Sequence, residues 1–240
     1  MAGNPEHEDA LRKAYPGAME VECDPGPGEW ATLTYADGTR TSAKCAGCRR
    51  DHLLQKIGAV IPPKFRSAVE IPQDVADWIS RGADAQGLYL AGQVGTGKTH
   101  TAWFAVGHWC LETETVPFTP RTQGVEGWST AGPTIIFTRM TDLLDDLRPG
   151  DGARQRVRDC QNTKLLVIDD IGAEKASEWT QERLYSVIDH RYANLLPLIV
   201  TSNLPPSKLA EQTGERAASR LAEMCTVVAM TGGDRRRPAA

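Results

Sequence analysis

Several features that assign a chain to a specialised class are missing from this sequence of 240 residues. No run approaches the 18 apolar residues that a membrane-spanning helix requires, so we expect no span. The first residues, MAGNPEHEDALRK, lack the apolar stretch of a secretory signal. The six cysteines are too few for a disulfide scaffold. Together these absences favour a reducing, cytoplasmic location.

An excess of positive charge is missing as well. Lysine and arginine number 27 against 31 aspartates and glutamates, which gives a formal net charge of −4. This balance argues against a protein that holds nucleic acid through bulk positive charge, although a local basic patch stays open. With 40% hydrophobic and 24% charged residues, the chain has the composition of an ordinary globular protein that can bury a core.

The N-terminal region, residues 1–66, has a pattern of its own. Residues 29–35 alternate in character and end before Asp37-Gly38, which predicts a strand followed by a hairpin turn. Residues 51–58 are compatible with a short helix, and Pro62-Pro63 interrupts any longer one. We therefore predict a small N-terminal appendage joined to the rest of the chain by a proline-containing linker.

Residues 67–231 show the alternation of an α/β fold. Short apolar strands are predicted at 88–91, 134–138, 165–168, 198–201 and 226–230. Helical patterns lie between them, so we expect a parallel sheet with helices on both faces. Residues 112–133 have no periodicity and are predicted to be an inserted loop, and 232–240 a basic tail.

A phosphate-binding loop follows the first of these strands. The segment comprises Gly92, Gln93, Val94, Gly95, Thr96, Gly97, Lys98 and Thr99, followed by His100, and it matches the pattern G-x-x-x-x-G-K-[ST]. Its glycines let backbone N–H groups surround a polyphosphate, and the N-terminus of the next helix adds positive potential. Lys98 would reach the β- and γ-phosphates of a nucleotide, and Thr99 would bind Mg²⁺. The alternative is an ordinary glycine-rich turn, which the flanking strand and helix disfavour.

Polar residues also end two later strands. Asp169 and Asp170 follow the apolar residues 165–168, and Asn203 follows 198–201. Strand ends on one edge of a parallel sheet converge, so Asp169 would hold Mg²⁺ and Asp170 would orient an attacking water. The alternatives are solvent-exposed acids at a strand end and, for Asn203, a turn former before Pro205-Pro206.

Five blocks in order carry a family resemblance: GQVGTGKTH, LLVIDDIGAEK, WTQERLYSVIDHRY, LIVTSNLPPSKL and GERAASRLAEMC. Together they resemble the AAA+ ATPases of the DnaC helicase-loader and IstB transposition-helper group, over roughly residues 57–237. The segment IPPKFRSAVE is similar to the one that precedes the ATPase core in that group. The resemblance implies a five-stranded parallel sheet of AAA+ type and Mg²⁺-dependent ATP hydrolysis that is slow and stimulated by assembly or DNA.

The resemblance also implies roles for individual residues. Lys98 and Thr99 match the Walker A positions, Asp169 the Walker B position and Asn203 the sensor position. Asp170 stands where the family often has glutamate, which puts the rate of hydrolysis in doubt.

Two arginines match a further segment of the family. Arg216 and Arg220 lie in GERAASR, which in the family faces the ATP of a neighbouring subunit. One of them is expected to act there as an arginine finger, with Arg220 favoured, so the chain would form an ATP-dependent homo-oligomer.

A possible zinc site lies in the N-terminal region. Cys45 and Cys48 have CxxC spacing, and Cys23 and His52 would complete a tetrahedral set for Zn²⁺, with His7 as a weaker alternative to His52. The competing interpretation is a surface turn with free thiols.

Four arginines lie between the second and third strands of the predicted α/β core: Arg148, Arg154, Arg156 and Arg158. They are candidates for contacting the backbone of single-stranded DNA, which the family threads near this region, and a solvated helix face is the alternative. The leading hypothesis is a loader that delivers a replicative hexameric helicase onto single-stranded DNA. The alternatives are an IstB-like transposition helper and an ATP-binding switch with negligible hydrolysis.

Overall fold

The computed structural model describes residues 5–23, 30–117 and 133–233. Two compact units make up the chain, Met1–Ala59 and Val60–Ala240. The segment 60–66, which the sequence pattern groups with the N-terminal region, falls in the larger unit. Parts of the predicted insertion (118–132) and of the tail (234–240) lie outside the described residues.

The N-terminal unit is a three-stranded antiparallel sheet accompanied by helices. Its elements are α1 (Pro5–Ala14), β1 (Ala18–Cys23), β2 (Trp30–Tyr35), β3 (Arg40–Lys44) and α2 (Ala46–Val60), whose last residue belongs to the larger unit. The strand order is β1-β2-β3. One face of the sheet packs against Leu11 of α1 and buries alternate residues such as Ala31 and Leu33, as the period of two in a strand requires.

The hairpin predicted at Asp37-Gly38 joins β2 to β3. The Asp37 carboxylate accepts a hydrogen bond from the Thr39 N–H at 2.9 Å, and Gly38 takes the positive φ of 79° that this turn needs. The predicted short helix is longer than expected and begins at Ala46. Helix α1 and strands β1 and β3 have no counterpart in the sequence prediction, because their short, mostly polar segments carry little apolar periodicity.

The larger unit alternates strands and helices. Its strands are β4 (Gly87–Ala91), β5 (Ile135–Arg139), β6 (Leu165–Ile171), β7 (Leu198–Ser202) and β8 (Cys225–Ala229). Its helices are α3 (Gln73–Ser80), α4 (Lys98–Glu112), α5 (Met140–Asp146), α6 (Ala153–Asn162), α7 (Glu178–Ala193), α8 (Ala210–Thr213) and α9 (Glu215–Met224).

The five strands of this unit form one sheet in the order β5-β6-β7-β4-β8, with every pairing parallel. Strand β7 is buried along its whole length, as is the apolar part of β6, because helices cover both faces of the sheet. The predicted α/β core with a five-stranded parallel sheet is confirmed. Within the described residues, no helix is both long and apolar enough to cross a lipid bilayer.

A buried arginine joins three segments of this core. Arg191 of α7 has no exposed surface, and its guanidinium donates to the carbonyls of Cys160 (3.0 Å) and Thr163 (2.9 Å) at the end of α6. It also donates to the carbonyls of Lys164 and Pro197, which precede β6 and β7. Burial lowers the pKa of Arg191 to about 10, so the group stays charged at neutral pH. One side chain therefore donates hydrogen bonds to backbone carbonyls that lie at a helix end and before two strands.

We expect Arg191→Met to lower the free energy of unfolding by about 3 kcal/mol, because several buried carbonyls lose their donor. Urea denaturation followed by circular dichroism measures this change. Arg154→Met on the exposed surface of α6 is the matched control and should stay within about 0.5 kcal/mol of the unmodified protein. Equal losses in the two variants would show that the buried contacts of Arg191 contribute nothing specific.

Candidate functional site

The phosphate loop connects β4 to α4 and has the backbone that its glycines allow. Gly95 and Gly97 take φ values of 87° and 93°. At Gly92, a Cβ atom would lie 2.4 Å from the carbonyl oxygen of Met230, so no larger residue fits there. Helix α4 begins directly after the loop, and no side chain of the described residues caps it. Its N-terminus therefore presents the N–H groups and positive dipole end that suit an anion.

Lys98 is the buried cation of this loop. The residue is only 8% exposed, and its Nζ donates to the carbonyls of Gly92 (2.8 Å) and Gln93 (2.9 Å). Nζ also donates to Oδ1 of Asn203 at 2.8 Å. The phosphate loop and the end of β7 therefore meet at this ammonium group.

Asp169 is a buried carboxylate of the same site as Lys98. The residue is 6% exposed, and its Oδ1 accepts hydrogen bonds from Thr99 Oγ1 (2.9 Å) and Thr201 Oγ1 (2.7 Å). Burying a carboxylate is costly unless donors surround it, and these two hydroxyls supply them. Thr99 and Asp169 thus lie together, as their predicted shared role in holding Mg²⁺ requires.

Asp170 is positioned by an irregularity in β6. The pairing of β6 with β7 runs from Ile168–Val200 to Ile171–Ser202, so Asp169 and Asp170 together oppose Thr201 alone. This is a β-bulge, and Asp170 adopts a left-handed backbone with φ of 61°. Aspartate tolerates that conformation better than most residues do. The Asp170 carboxylate accepts a hydrogen bond from Asn203 Nδ2 at 3.3 Å.

A cleft of about 1040 Å³ opens between these groups, a volume suited to a nucleotide. Lys98, Thr99, Asp169, Asp170 and Asn203 all line it. Of the other predicted loop residues, Val94, Gly95, Gly97 and His100 line it as well, whereas Gly92, Gln93 and Thr96 line a second pocket that also includes Asn203. The cleft thus brings together most, but not all, of the site residues predicted from the loop and the two strand ends. Their catalytic and binding roles stay predictions.

The cleft also contains residues that the sequence motifs did not identify. Arg139 lines it from the end of β5, Thr141 from the start of α5 and Thr201 from β7. Lys64 and the segment 67–70 form another wall together with Phe65, whose ring lies 5.8 Å from that of His100. His100 Nε2 lies 2.9 Å from the Ser67 carbonyl oxygen, which connects this wall to α4. Only the resemblance of IPPKFRSAVE to a family segment pointed to it beforehand.

The two candidate trans-acting arginines lie away from this cleft, on α9. Arg220 Nε pairs with Asp189 at 3.0 Å and Nη1 with Glu223 at 3.5 Å, and its guanidinium lies 4.4 Å from the Tyr192 ring. The pairing with Asp189 raises the pKa of Arg220. The Arg216 guanidinium lies 3.8 Å from the Tyr185 ring. Neither arginine lines its own chain's cleft.

The four candidate DNA-contacting arginines lie in a segment rich in aspartate. Arg148 pairs with Asp145 at 3.1 Å, and Arg156 pairs with Asp146 at 3.0 Å. Residues 140–162 hold four arginines and five aspartates, a formal charge of 4 − 5 = −1. Arg154 and Arg158 are exposed four residues apart on α6. The segment as a whole is therefore not a basic patch, and only individual arginines could meet a phosphate backbone.

A cysteine and histidine cluster lies in the N-terminal unit. His7, Cys23, Cys45 and Cys48 each place one ligand atom within 4.8 Å of the others. The Sγ atoms of Cys23 and Cys45 are 3.7 Å apart, and His7 Nδ1 lies 3.9 Å from Cys48 Sγ. Two sulfur ligands of a tetrahedral Zn²⁺ stand about 3.8 Å apart when each Zn–S bond is 2.3 Å. The set could therefore hold a zinc ion.

The predicted fourth ligand, His52, is not part of this cluster. Its place is taken by His7, which the sequence had offered as the weaker alternative. The reason is local packing: a Cβ at Gly47 would lie 2.2 Å from the His7 ring, so the ring occupies the space that this glycine leaves. The Asp51 carboxylate lies 3.9 Å from the second ring nitrogen of His7, which is close enough for an ion pair but too far for a hydrogen bond.

The thiols of the chain have two kinds of surroundings. Burial and the neighbouring thiols raise the pKa of Cys23. Burial would raise that of Cys45 too, but hydrogen bonds, first of all from the Cys48 N–H, hold its pKa below the ordinary value. Burial alone raises the pKa of Cys110 and Cys225 to about 12, so these core thiols are poor nucleophiles.

Comparison with known proteins agrees with this geometry. The family model of IstB-like ATP binding protein matches residues 74–237. The protein XkdC of the phage-like element PBSX from Bacillus subtilis is 28% identical over an alignment of 174 residues that covers 69% of this chain and 58% of that protein. The replicative helicase loader DnaI of the same organism is 26% identical over an alignment of 182 residues that covers 69% of this chain and 53% of DnaI.

Solved structures show the same fold. The crystal structure of the DnaC helicase loader superimposes with a TM-score of 0.53 at 20% identity, covering 70% of this chain and 96% of that one. The chain spans little more than half the length of the two curated relatives above. Because the family model covers well over half of the chain, the protein belongs to the IstB-like ATP-binding family of AAA+ proteins.

Proposed function

We propose that this protein is an ATP-dependent helicase loader. In the ATP-bound form it would assemble and deliver a replicative hexameric helicase onto single-stranded DNA, and hydrolysis would release it. The observation that carries the proposal is the shared cleft of Lys98, Asp169 and Asn203 in a chain similar to the helicase loader DnaI. The separate N-terminal unit supports it, because it offers a surface for a protein partner outside the ATP-binding core.

The residues of the cleft suit ATP hydrolysis. Lys98 would neutralise the β- and γ-phosphates, and the backbone of the loop would hold their oxygens. Thr99 and Asp169, which already share a hydrogen bond of 2.9 Å, would hold Mg²⁺ between them. When bound, Mg²⁺ supplies positive charge against the phosphate oxygens.

Asp170 and Asn203 would act on the attacking water. The Asp170 carboxylate would orient and polarise it, and the Asn203 amide would hold that carboxylate and contact the γ-phosphate. Aspartate is one methylene shorter than glutamate, so slow turnover is expected. An ATP-binding switch without turnover is the limiting case of the same site.

The arginine that stabilises the transferring phosphoryl group would come from a neighbouring subunit. The positions of Arg216 and Arg220 outside their own cleft support this arrangement. Arg220 is the favoured candidate, and it would have to exchange its contacts with Asp189 and Glu223 for the neighbour's phosphate. Hydrolysis would then depend on assembly into a homo-oligomer.

Mixing two inactive variants tests the arginine. Lys98→Ala removes the phosphate contact, and Arg220→Ala should lower kcat by about a hundredfold or more if this guanidinium acts in trans. An equimolar mixture should regain part of the phosphate release, because some interfaces combine an intact loop with an intact arginine. Arg216→Ala serves as the matched control. A mixture that stays inactive would contradict the role of Arg220, and rescue with Arg216→Ala in its place would reassign the role.

We further propose that the N-terminal cluster binds one Zn²⁺ through Cys23, Cys45, Cys48 and His7. The 3.7 Å separation of two Sγ atoms and the fit of His7 against Gly47 support it. A zinc ion would stabilise a unit whose core consists of few apolar side chains.

Zinc analysis of two histidine variants tests this set. The purified chain should contain about one zinc per molecule, and His7→Ala should lose it to a competing chelator at least tenfold more readily. His52→Ala should behave as the unmodified chain does. Metal content measured by mass spectrometry reads this out. Retention of zinc by His7→Ala together with loss by His52→Ala would restore the ligand set first predicted from the sequence.

Contact with single-stranded DNA belongs to the same proposal. Arg154 and Arg158 are exposed on one side of α6 and could follow a phosphate backbone without reading bases. Repeated around an oligomer, two arginines per chain would give a basic track although each chain is acidic overall.

Association with the helicase is the decisive test of the loader. The chain is mixed with the replicative helicase of its own genome and with ATP, ADP or no nucleotide, and complexes are resolved by size-exclusion chromatography. A complex is expected with ATP and should be lost in Lys98→Ala, but not in Lys208→Ala, which changes an exposed lysine outside the cleft lining. No complex in any nucleotide state would refute the loader. ATP-dependent binding of a transposase in its place would support the IstB-like alternative.

A further inference from the structure

The bulge in β6 is stabilised by two hydroxyl groups of the neighbouring strand. Where two residues of β6 oppose one residue of β7, regular backbone pairing is interrupted. The Asp170 N–H donates to Thr201 Oγ1 at 2.8 Å, and Ser202 Oγ donates to the Ile171 carbonyl at 2.7 Å. These side chains replace the hydrogen bonds that a regular strand pair would make.

Thr201 makes contacts that no other residue of β7 makes. Its hydroxyl accepts from the Asp170 N–H and donates to Asp169 Oδ1 at 2.7 Å. The residue is only 1% exposed, so its hydroxyl is shielded from competition with bulk water. One hydroxyl group thus fixes the side chain of the first aspartate and the backbone of the second.

We propose that Thr201 is a positioning residue for ATP hydrolysis: its hydroxyl holds the Asp169 carboxylate in the orientation that binds Mg²⁺ and holds the Asp170 backbone in the left-handed conformation that aims its carboxylate at the cleft. The inference rests on the proposed ATPase activity and deepens it. Thr201 lines the cleft, but its hydroxyl is engaged by the two aspartates, so it would act through them.

Both the charge of Asp169 and the strained backbone of Asp170 depend on the Thr201 hydroxyl. Without it, the buried Asp169 carboxylate keeps Thr99 as its remaining hydroxyl donor, and an N–H group loses its acceptor. A left-handed non-glycine residue persists only where its surroundings hold it, and the Thr201 acceptor is part of that support at Asp170. Loss of the hydroxyl should therefore loosen both aspartates together.

Ser202 offers a matched comparison on the same strand. Its hydroxyl donates to the Ile171 carbonyl and accepts from the Leu204 N–H at 3.0 Å. It supports the same bulge, and these hydrogen bonds of its hydroxyl involve neither Asp169 nor Asp170. Replacement of Ser202 therefore measures the structural cost of losing a buried hydroxyl here, without the effect on the carboxylates.

The experiment compares Thr201→Val, Thr201→Ser and Ser202→Ala with the unmodified full chain. The affinity for a fluorescent ATP analogue is measured with and without Mg²⁺, together with kcat, KM and the melting temperature. Thr201→Val keeps the shape of the side chain, so affinity without Mg²⁺ should stay the same. The gain in affinity that Mg²⁺ brings should fall about tenfold, and kcat should fall by at least as much. Thr201→Ser should restore both.

The Ser202→Ala variant distinguishes a positioning role of Thr201 from a general loss of stability. Ser202→Ala should lower the melting temperature as Thr201→Val does, yet keep the Mg²⁺-dependent gain and kcat. Equal losses of that gain in both variants, or an unchanged gain in Thr201→Val, would overturn the positioning role. If the unmodified chain binds ATP without hydrolysing it, the proposed ATPase fails, whereas the Mg²⁺-dependent affinities still decide the role of Thr201.

Discussion

The nucleotide cleft depends on one buried carboxylate, which lies where a central strand of the parallel sheet ends. Asp169 can lie there only because hydroxyl donors reach it from two other segments, the start of α4 and the end of β7. Those segments are adjacent because β7 lies between β6 and β4 in the sheet. The strand order, the phosphate loop and the bulge therefore depend on one another. A different strand order would leave the charge without donors.

The main features of this cleft could be predicted from the sequence because they depend on local patterns. Lys98 and Thr99 are specified by a loop of fixed spacing, and Asp169 by an apolar strand that ends in acids. The shared edge of a parallel sheet then brings Asn203 to the same place. Each of these steps uses a rule that holds for short segments or for neighbouring strands.

The rest depends on contacts that a sequence pattern does not contain. A strand has a period of two, so two consecutive carboxylates at one cleft could not be explained before the bulge and the left-handed Asp170 were seen. Thr201 reads in the sequence as an ordinary β-branched strand residue. Arg191 reads as one more charge on a helix, whereas it satisfies carbonyls that lie up to 31 positions away along the chain.

In the N-terminal unit, too, some of the candidate zinc ligands could be predicted from the sequence and one could not. Cys45 and Cys48 were visible from spacing, but proximity along the chain favoured His52, and only the fold brings α1 to the cysteines. Helix α1 has ten residues and buries one of them, Leu11, so it is too short to be stable alone. In the zinc-bound form that we propose, His7 would tie this helix to chain segments up to 41 positions away. The ion would then act as a reversible cross-link that stabilises the folded form, and the order of the N-terminus would follow the supply of metal.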